Sequence, residues 1–250
     1  MTEERNLPVD EAVEERWDSR TRRLLGDKAV ERLSGASVLV VGTGGVGGYA
    51  AEMLARTGIG TLTLVDADDV APSNLNRQII ALRNDIGKPK TELFRKRFLE
   101  INPQINVTAV REFLTPENVE EIAGAGFDYV VDAIDTVAPK VSLIEHCMRE
   151  SIPVISSMGA GGRTDPTKIV YTDIWSTRDD GLAKAVRTRL KKDGMRRRLD
   201  VVASTEPPHT SSIIELDARN KRSSYGTIAS IPAIFGIYLA NKVILNLIRQ

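Results

Sequence analysis

The stretch Ser37-Val38-Leu39-Val40-Val41-Gly42-Thr43-Gly44-Gly45-Val46-Gly47-Gly48 decides how the chain folds. An apolar, β-branched run feeds a cluster of glycines, and Tyr49 to Arg56 continues with helix-forming residues. This pattern predicts a buried strand, a tight turn and the start of a helix. Gly42 permits the turn, Gly44 lets the backbone come close to a ligand, and Gly47 lets helix and strand pack together. The free N–H groups and the dipole at the start of that helix make a site for phosphate. A glycine turn alone leaves the nucleotide and its fate open.

The residues that follow narrow it. Thr61 to Val65 reads as a second parallel strand, closed by Asp66, 24 residues after Gly42. An acid there either accepts hydrogen bonds from ribose hydroxyls or serves as a loop or cap acid. Ala67 to Asp85 is an irregular polar loop in which Asn74 and Asn76 flank Leu75 ahead of Arg77 and Gln78. Such a loop can reach across the mouth of a sheet with hydrogen-bonding side chains and one cation. Gly87-Lys88-Pro89-Lys90 then opens a helix over Thr91 to Ile101. A lysine in a first turn opposes the helix dipole, so Lys90 either faces an anion or is a solvated surface residue.

Further along, Asn106 to Val110 predicts a short strand. A helix is predicted after it, with Thr115 as its cap and Pro116 at its first position. Phe127 to Asp135 is a buried strand that ends in acids. Asp135 falls at the carboxyl end of that strand, where open α/β sheets keep their ligands. It either holds Mg²⁺ against phosphate oxygens, or else Asp135 or Thr136 merely caps the next helix; Asp132 is a second candidate metal or hydrogen-bonding ligand. Ile152 to Ser157 is another buried strand, and it runs into a second glycine turn, Met158-Gly159-Ala160-Gly161-Gly162-Arg163. A strand at Lys168 to Thr172 follows. Lys184 to Arg198 then carries eight cations (Lys184, Arg187, Arg189, Lys191, Lys192, Arg196, Arg197, Arg198) against the single acid Asp193. That run is either a solvated helix face or a patch for a nucleic-acid backbone. Val201 to Ala203 reads as a short strand, Ser204 to Ser212 as irregular chain, and Ile231 to Ile248 as an apolar final helix interrupted by Pro232 and Gly236. Its uninterrupted apolar stretch is shorter than a bilayer requires, so it reads as a core or dimer-interface helix, with peripheral membrane contact as the lesser reading.

The whole is an α/β chain with a Rossmann-like, doubly wound, mainly parallel sheet and a C-terminal extension of strands and helices. It divides into an acidic lead over 1–15, a nucleotide-binding unit over 16–175, and a basic segment with the final helix over 176–250 that completes the same domain. The lead is acidic and polar and is not expected to act as a signal peptide. Lysine plus arginine and aspartate plus glutamate each number 34, so no global field draws nucleic acid and any basic surface is local. One cysteine, Cys147, excludes a disulfide framework and a cysteine-based zinc site within one chain. On an apolar helix it reads as a packing residue rather than a nucleophile. A reducing, cytoplasmic compartment is expected.

Taken in order, Val41 to Gly47, Leu64-Val65-Asp66-Ala67-Asp68, Ser73-Asn74-Leu75-Asn76-Arg77-Gln78, Gly87-Lys88-Pro89-Lys90, Ile101-Asn102-Pro103 and Asp132-Ala133-Ile134-Asp135 resemble the E1-like adenylating superfamily of ubiquitin-activating, ThiF and MoeB enzymes. The likeness covers roughly residues 16 to 175. Within the superfamily the chain is most similar to the dehydratases of threonylcarbamoyladenosine in tRNA. Ala133-Ile134-Asp135 stands where sulfur-carrier activators have Cys-Thr-Asp. The segment Met158 to Thr167, Ser204-Thr205-Glu206, and Ser224-Tyr225-Gly226-Thr227 also resemble that branch. The chain departs from the superfamily in lacking its paired zinc cysteines and a thioester cysteine. It also has Val201 where some dehydratases have cysteine, which puts sulfur relay in doubt and leaves adenylation untouched.

The resemblance implies an ATP-dependent reaction. The carboxylate of N6-threonylcarbamoyladenosine at position 37 of tRNA attacks the α-phosphate of ATP, and pyrophosphate leaves. The acyl-adenylate then closes into an oxazolone ring and releases AMP. By the same likeness Arg77 and Lys90 hold phosphates, Asp135 holds Mg²⁺, and Asp66 holds the ribose. Gly42, Gly44, Gly45, Gly47, Asp68, Asn74 and Gln78 complete the nucleotide site, and Arg20 reaches it from the partner chain of a homodimer. The alternative within the superfamily is adenylation of the C-terminal glycine of a ubiquitin-like sulfur carrier. A sulfur-transfer partner of the cysteine desulfurase or SufE type is a lesser expectation, and no stable membrane insertion is expected.

Overall fold

The structure, a computed structural model, describes residues 16–124, 126–218 and 221–249; the acidic lead 1–15 lies outside the described residues. Two short helices, α1 (Ser19–Leu25) and α2 (Asp27–Gly35), precede β1 (Ser37–Val41). The turn leads into α3 (Gly47–Thr57), then β2 (Thr61–Val65), α4 (Lys90–Ile101), β3 (Asn106–Val110), α5 (Val119–Ala123), β4 (Tyr129–Asp132), α6 (Val137–Arg149) and β5 (Val154–Ser157). The chain closes with β6 (Ile169–Asp173), α7 (Gly181–Lys192), β7 (Asp200–Ser204), the hairpin β8 (Ile213–Ala218) and β9 (Lys221–Tyr225), and α8 (Ser230–Leu247).

The main sheet runs in the order β3-β2-β1-β4-β5-β7-β6, all parallel except β6, which pairs antiparallel with β7 at one edge. This is the doubly wound sheet that the apolar runs and glycine turn predict. Strand order reverses between β1 and β4, so a crevice opens above the paired ends Val41 and Asp132. Alternation along β1 explains its continuous apolar sequence. Val38 and Val40 meet a layer built from α3, α4 and α8, while Leu39 and Val41 meet a layer with α5 and α6. A third cluster joins α6 and α7 over β7. Among the described residues α8 is long and apolar enough to cross a membrane, yet half of it is buried within the protein. Its Ile231, Phe235, Leu239 and Val243 are core residues.

Two expectations need correction. The helix predicted from Thr115 begins only at Val119, because side chains hold the preceding residues in a turn. Asn118 Oδ1 accepts from the Thr115 N–H at 2.7 Å, and Thr115 Oγ1 accepts from the Glu117 N–H at 3.2 Å. The chain between Ser212 and the final helix also holds the hairpin β8–β9, where no strand was predicted.

Candidate active site

The glycine turn is wedged between the ends of two neighbouring strands. Gly42 has φ of 86°, and a Cβ there would stand 2.9 Å from the Ala133 carbonyl oxygen beyond β4. A Cβ on Gly47 would stand 1.8 Å from the Gly42 oxygen, so only glycine lets α3 start this close to the turn. The Gly42 N–H donates to Val65 O at 2.8 Å. Asp66, just past β2, then locks the turn: its Oδ2 accepts from the Thr43 N–H at 2.7 Å and the Thr43 hydroxyl at 3.0 Å, and its Oδ1 accepts from the Asp68 N–H at 2.9 Å. Asp66 caps no helix; its carboxylate shapes the phosphate turn and borders the crevice.

The loop after Asp66 folds back over the turn. Its base is closed by Val70 N–H to Lys88 O at 2.9 Å and Lys90 N–H to Asp68 O at 3.2 Å. That closure brings the buried Lys90 Nζ to 2.8 Å from Asp68 Oδ2, whose side chain is 72% exposed. The anion that Lys90 faces is therefore one of the chain's own carboxylates. Asn74 is buried, and its Oδ1 accepts from the Ala71 N–H at 3.0 Å, holding the tight turn Pro72–Asn74 from which the next residues project. Arg77 Nη1 donates to Ser73 O at 2.7 Å and Asn76 Oδ1 at 2.9 Å, and its stem lies against Gly45. Gln78 is buried, with Nε2 3.6 Å from the position of a Cβ on Gly44. Its Oε1 has no hydrogen-bond partner among the described residues. A buried amide oxygen left over beside a phosphate-type turn is available to a hydrogen-bond donor. The structure thus gathers Gly42, Gly44, Gly45, Gly47, Asp66, Asp68, Asn74, Arg77, Gln78 and Lys90 around one turn.

Asp135 is exposed in the loop between β4 and α6, two residues past the Ala133 that abuts Gly42. The N-cap position of α6 belongs to Thr136, which makes no side-chain cap bond. No cluster of three histidine, cysteine or acidic side chains occurs among the described residues. A divalent ion at Asp135 would take its other ligands from phosphates and water, the usual habit of Mg²⁺. Asp132, the second candidate ligand, is corrected to a wholly buried partner of Lys140 and Ser156. Sequence reading missed those two residues. The available signal was a lysine one turn into an apolar helix and a Ser-Ser pair closing an apolar strand.

Other predicted residues lie elsewhere. Arg20 is exposed on α1, and the nearby Trp17 packs beside Gly58 at the far end of α3, a helix length from Gly47. Within one chain Arg20 does not meet the glycine turn. Cys147 is fully buried, and burial, aided by the Asp132 charge, pushes its thiol up to about 12, so it stays protonated and packs. The second glycine turn is joined to Ser204-Thr205-Glu206. Glu206 accepts from the Thr164 and Asp165 N–H groups at 3.0 and 2.9 Å, while buried Arg163 bonds Glu206 O and Asp180 Oδ2 at 3.0 and 3.2 Å. The basic run descends α7 from Asp180, beside that turn, to Arg198, ahead of the first residue of β7. Arg196 to Arg198 therefore sit at the opposite end of the sheet from the glycine turns. Arg198 pairs with Asp200 at 2.8 Å, and Lys191 lies 5.9 Å over the Trp175 ring.

Comparison with known proteins gives concordant matches. The profile of the ThiF family matches residues 18–249. A tRNA threonylcarbamoyladenosine dehydratase of Bacillus subtilis is 38% identical over 243 residues, spanning 93% of this chain and 94% of that protein. The tRNA threonylcarbamoyladenosine dehydratase of Escherichia coli is 49% identical over 184 residues, spanning 72% of this chain and 69% of that one. A crystal structure of E. coli tRNA N6-threonylcarbamoyladenosine dehydratase in complex with ATP superimposes with a TM-score of 0.86 at 41% identity, covering 93% of each chain.

Proposed function

We propose a function from one premise: the chain belongs to the ThiF family. It is an ATP-dependent tRNA threonylcarbamoyladenosine dehydratase. It activates the carboxylate of N6-threonylcarbamoyladenosine as an adenylate and lets the modified base close into the oxazolone ring, with release of AMP and pyrophosphate. The observation that carries this reading is the end-to-end match, 93% of this chain and 94% of the B. subtilis dehydratase, laid over a single clustered nucleotide site.

The residues fit the chemistry. In-line attack of a carboxylate on a phosphate brings two anions together, so cations must balance the charge. Arg77, against Gly45, and Lys90 supply it, with Lys90 exchanging Asp68 for a phosphate oxygen. Gln78, beside Gly44, and Asp66, on the Thr43 N–H, would meet the nucleotide at the turn, and Asn74 keeps the loop in place. Asp135 holds Mg²⁺, which screens phosphate charge when bound. Arg20 completes the site of a partner chain in a homodimer. That dimer uses the exposed Ile237 and Asn241 of α8 with the half-buried Ile234 and Tyr238 beside them, a stripe that continues onto Tyr171 of β6. The nucleotide unit 16–175 and the basic segment 176–250 divide these tasks, the lead 1–15 taking none of them, with α7 and Arg196 to Arg198 meeting tRNA phosphates in a cytoplasmic setting. Adenylation of a sulfur carrier is the weaker reading, since the nearly full-length match is to a dehydratase.

The test is mass spectrometry of tRNA nucleosides after incubation with the protein, ATP and Mg²⁺. Loss of one water from the threonylcarbamoylated adenosine, with AMP formed in step, is expected. AMP formation that answers to a carrier protein and not to tRNA would overturn the reading.

A further inference from the structure

Asp132, Lys140 and Ser156 form a closed group behind the site. The side chains of Lys140 and Asp132 are both 0% exposed. Lys140 Nζ donates to Asp132 Oδ2 at 2.6 Å and to Ser156 Oγ at 3.0 Å, and the Ser156 hydroxyl donates to the same Asp132 oxygen at 2.6 Å. A pair this desolvated adds little net stability, and apolar residues of similar volume often serve as well or better. Stability alone gives no reason for it.

Its geometry does. The remaining oxygen, Asp132 Oδ1, accepts from the Ile134 N–H at 3.0 Å. Ile134 is the middle of the link that starts at Ala133, in contact with Gly42 and Gly47, and ends at Asp135. Lys140 and Ser156 hold one oxygen of Asp132, and the carboxylate plane so fixed presents the other to the loop. Ser156 stands on β5, whose chain continues into the second glycine turn, so the group ties the loop after β4 to the strand beside it.

We propose that Asp132, seated in the core by Lys140 and Ser156, is a positioning residue whose Oδ1, through the Ile134 N–H, aims Asp135 at the phosphate-bound divalent ion. This rests on the reading of Asp135 as the carboxylate for Mg²⁺.

Two double variants separate geometry from charge. Both remove the ion pair, so neither strands a buried charge. D132N/K140M keeps an Oδ1 acceptor for the Ile134 N–H, whereas D132L/K140M has none. Calorimetric binding of ATP without tRNA, at varied Mg²⁺ and in EDTA, reads the ion apart from turnover. D132L/K140M is expected to raise the Mg²⁺ half-saturation of ATP binding about 10-fold or more, the usual effect of losing a group that orients a metal ligand. Its metal-free ATP binding should stay within about 3-fold of the parent, while D132N/K140M rescues the Mg²⁺ response. Equal behaviour of the two variants, in either direction, overturns the proposal. If D132L/K140M does not fold, Ser156→Ala carries the test, with a higher Mg²⁺ requirement expected and an unchanged one overturning it. Asp135→Asn distinguishes the two layers. A Mg²⁺ response unaltered by Asp135→Asn overturns the metal reading and the positioning with it. A response altered there but not in D132L/K140M overturns the positioning alone.

Discussion

Two lysine–aspartate pairs flank the crevice, and they share almost everything except water. Lys90 is the first residue of α4 and Lys140 the fourth of α6, so each opposes a helix dipole. Their ammonium groups stand 2.8 and 2.6 Å from their carboxylates. Asp68, however, has a side chain 72% exposed, while Asp132 is wholly buried. An exposed carboxylate recovers hydration when its lysine leaves, and a buried one has nothing to recover. The first pair is built to exchange partners, and the second to stay.

The sharpest way to break this contrast is Lys140→Met alone. It leaves the Asp132 charge buried without its cation, which typically costs about 3–5 kcal/mol. Urea unfolding should show that loss. A change below about 1 kcal/mol would put this pair in the class of exposed ones. Next in size is Lys90→Ala. Removing a charge-stabilising donor lowers turnover by about 10²–10³-fold, so AMP formation on threonylcarbamoylated tRNA should fall by that factor. Unfolding free energy should fall by less than for Lys140→Met, because the carboxylate left behind, Asp68, is 72% exposed and regains its hydration. Arg77→Ala should follow the same pattern. Full activity in either variant would remove the phosphate role.

A third carboxylate lies between these extremes. Glu52 on α3 is 1% exposed, and it takes Arg97 at 2.7 and 3.0 Å and Arg56 at 2.7 Å. Burial pushes its carboxyl up, but the two guanidinium groups together outweigh that and hold it below the ordinary value. The unfolded chain then takes up this proton at higher pH than the folded one. The stabilisation is complete above the ordinary glutamate value of about 4.3 and is lost as pH falls through the lower folded value. Glu52→Gln should therefore lower the melting midpoint at pH 7 and flatten its decline between about pH 5 and 3. A parallel decline in parent and variant would mean that the arginines do not hold the charge.

The contrast between the pairs also marks what the sequence could disclose. The turn at Gly42 to Gly48, the strands around it and the closing Asp66 were legible because they depend on local pattern: an apolar run, glycines, then helix formers. Of the candidate site residues, Lys90 was singled out by its place in the first turn of a helix and Asp135 by its place at the end of an apolar strand, while the phosphate role of Arg77 came from the family resemblance. What Lys90 touches was not legible, because Asp68 reaches it only through the closure of a loop more than twenty residues long. Lys140 and Ser156 were missed for the same reason: their meeting with Asp132 depends on which strands become neighbours. Non-local pairing also hid the place of β7: the strand itself was legible at Val201 to Ala203, but not its insertion between β5 and β6 after a long excursion. At Thr115 the local signal misled, since a capping pattern also suits a turn held by Asn118.

The smallest expected effect tests the exchange itself. Asp68→Asn removes the anion that holds Lys90 before nucleotide arrives. Asn keeps an oxygen that can accept from the Lys90 ammonium, but the Lys90 side chain is only 3% exposed, so unfolding free energy should fall by about 1–3 kcal/mol, less than for Lys140→Met. ATP affinity distinguishes two roles for Asp68. If Asp68 only holds Lys90, its neutralisation frees the ammonium for phosphate, and the dissociation constant should fall by up to about 5-fold, the equivalent of about 1 kcal/mol. If Asp68 contacts the nucleotide directly, the constant should rise instead. Calorimetric titration of ATP at low and high salt decides between them. Tighter binding that fades with salt identifies an exchangeable pair. A loss of affinity would make Asp68 a ligand, and Lys90 would then keep its carboxylate while it binds the phosphate.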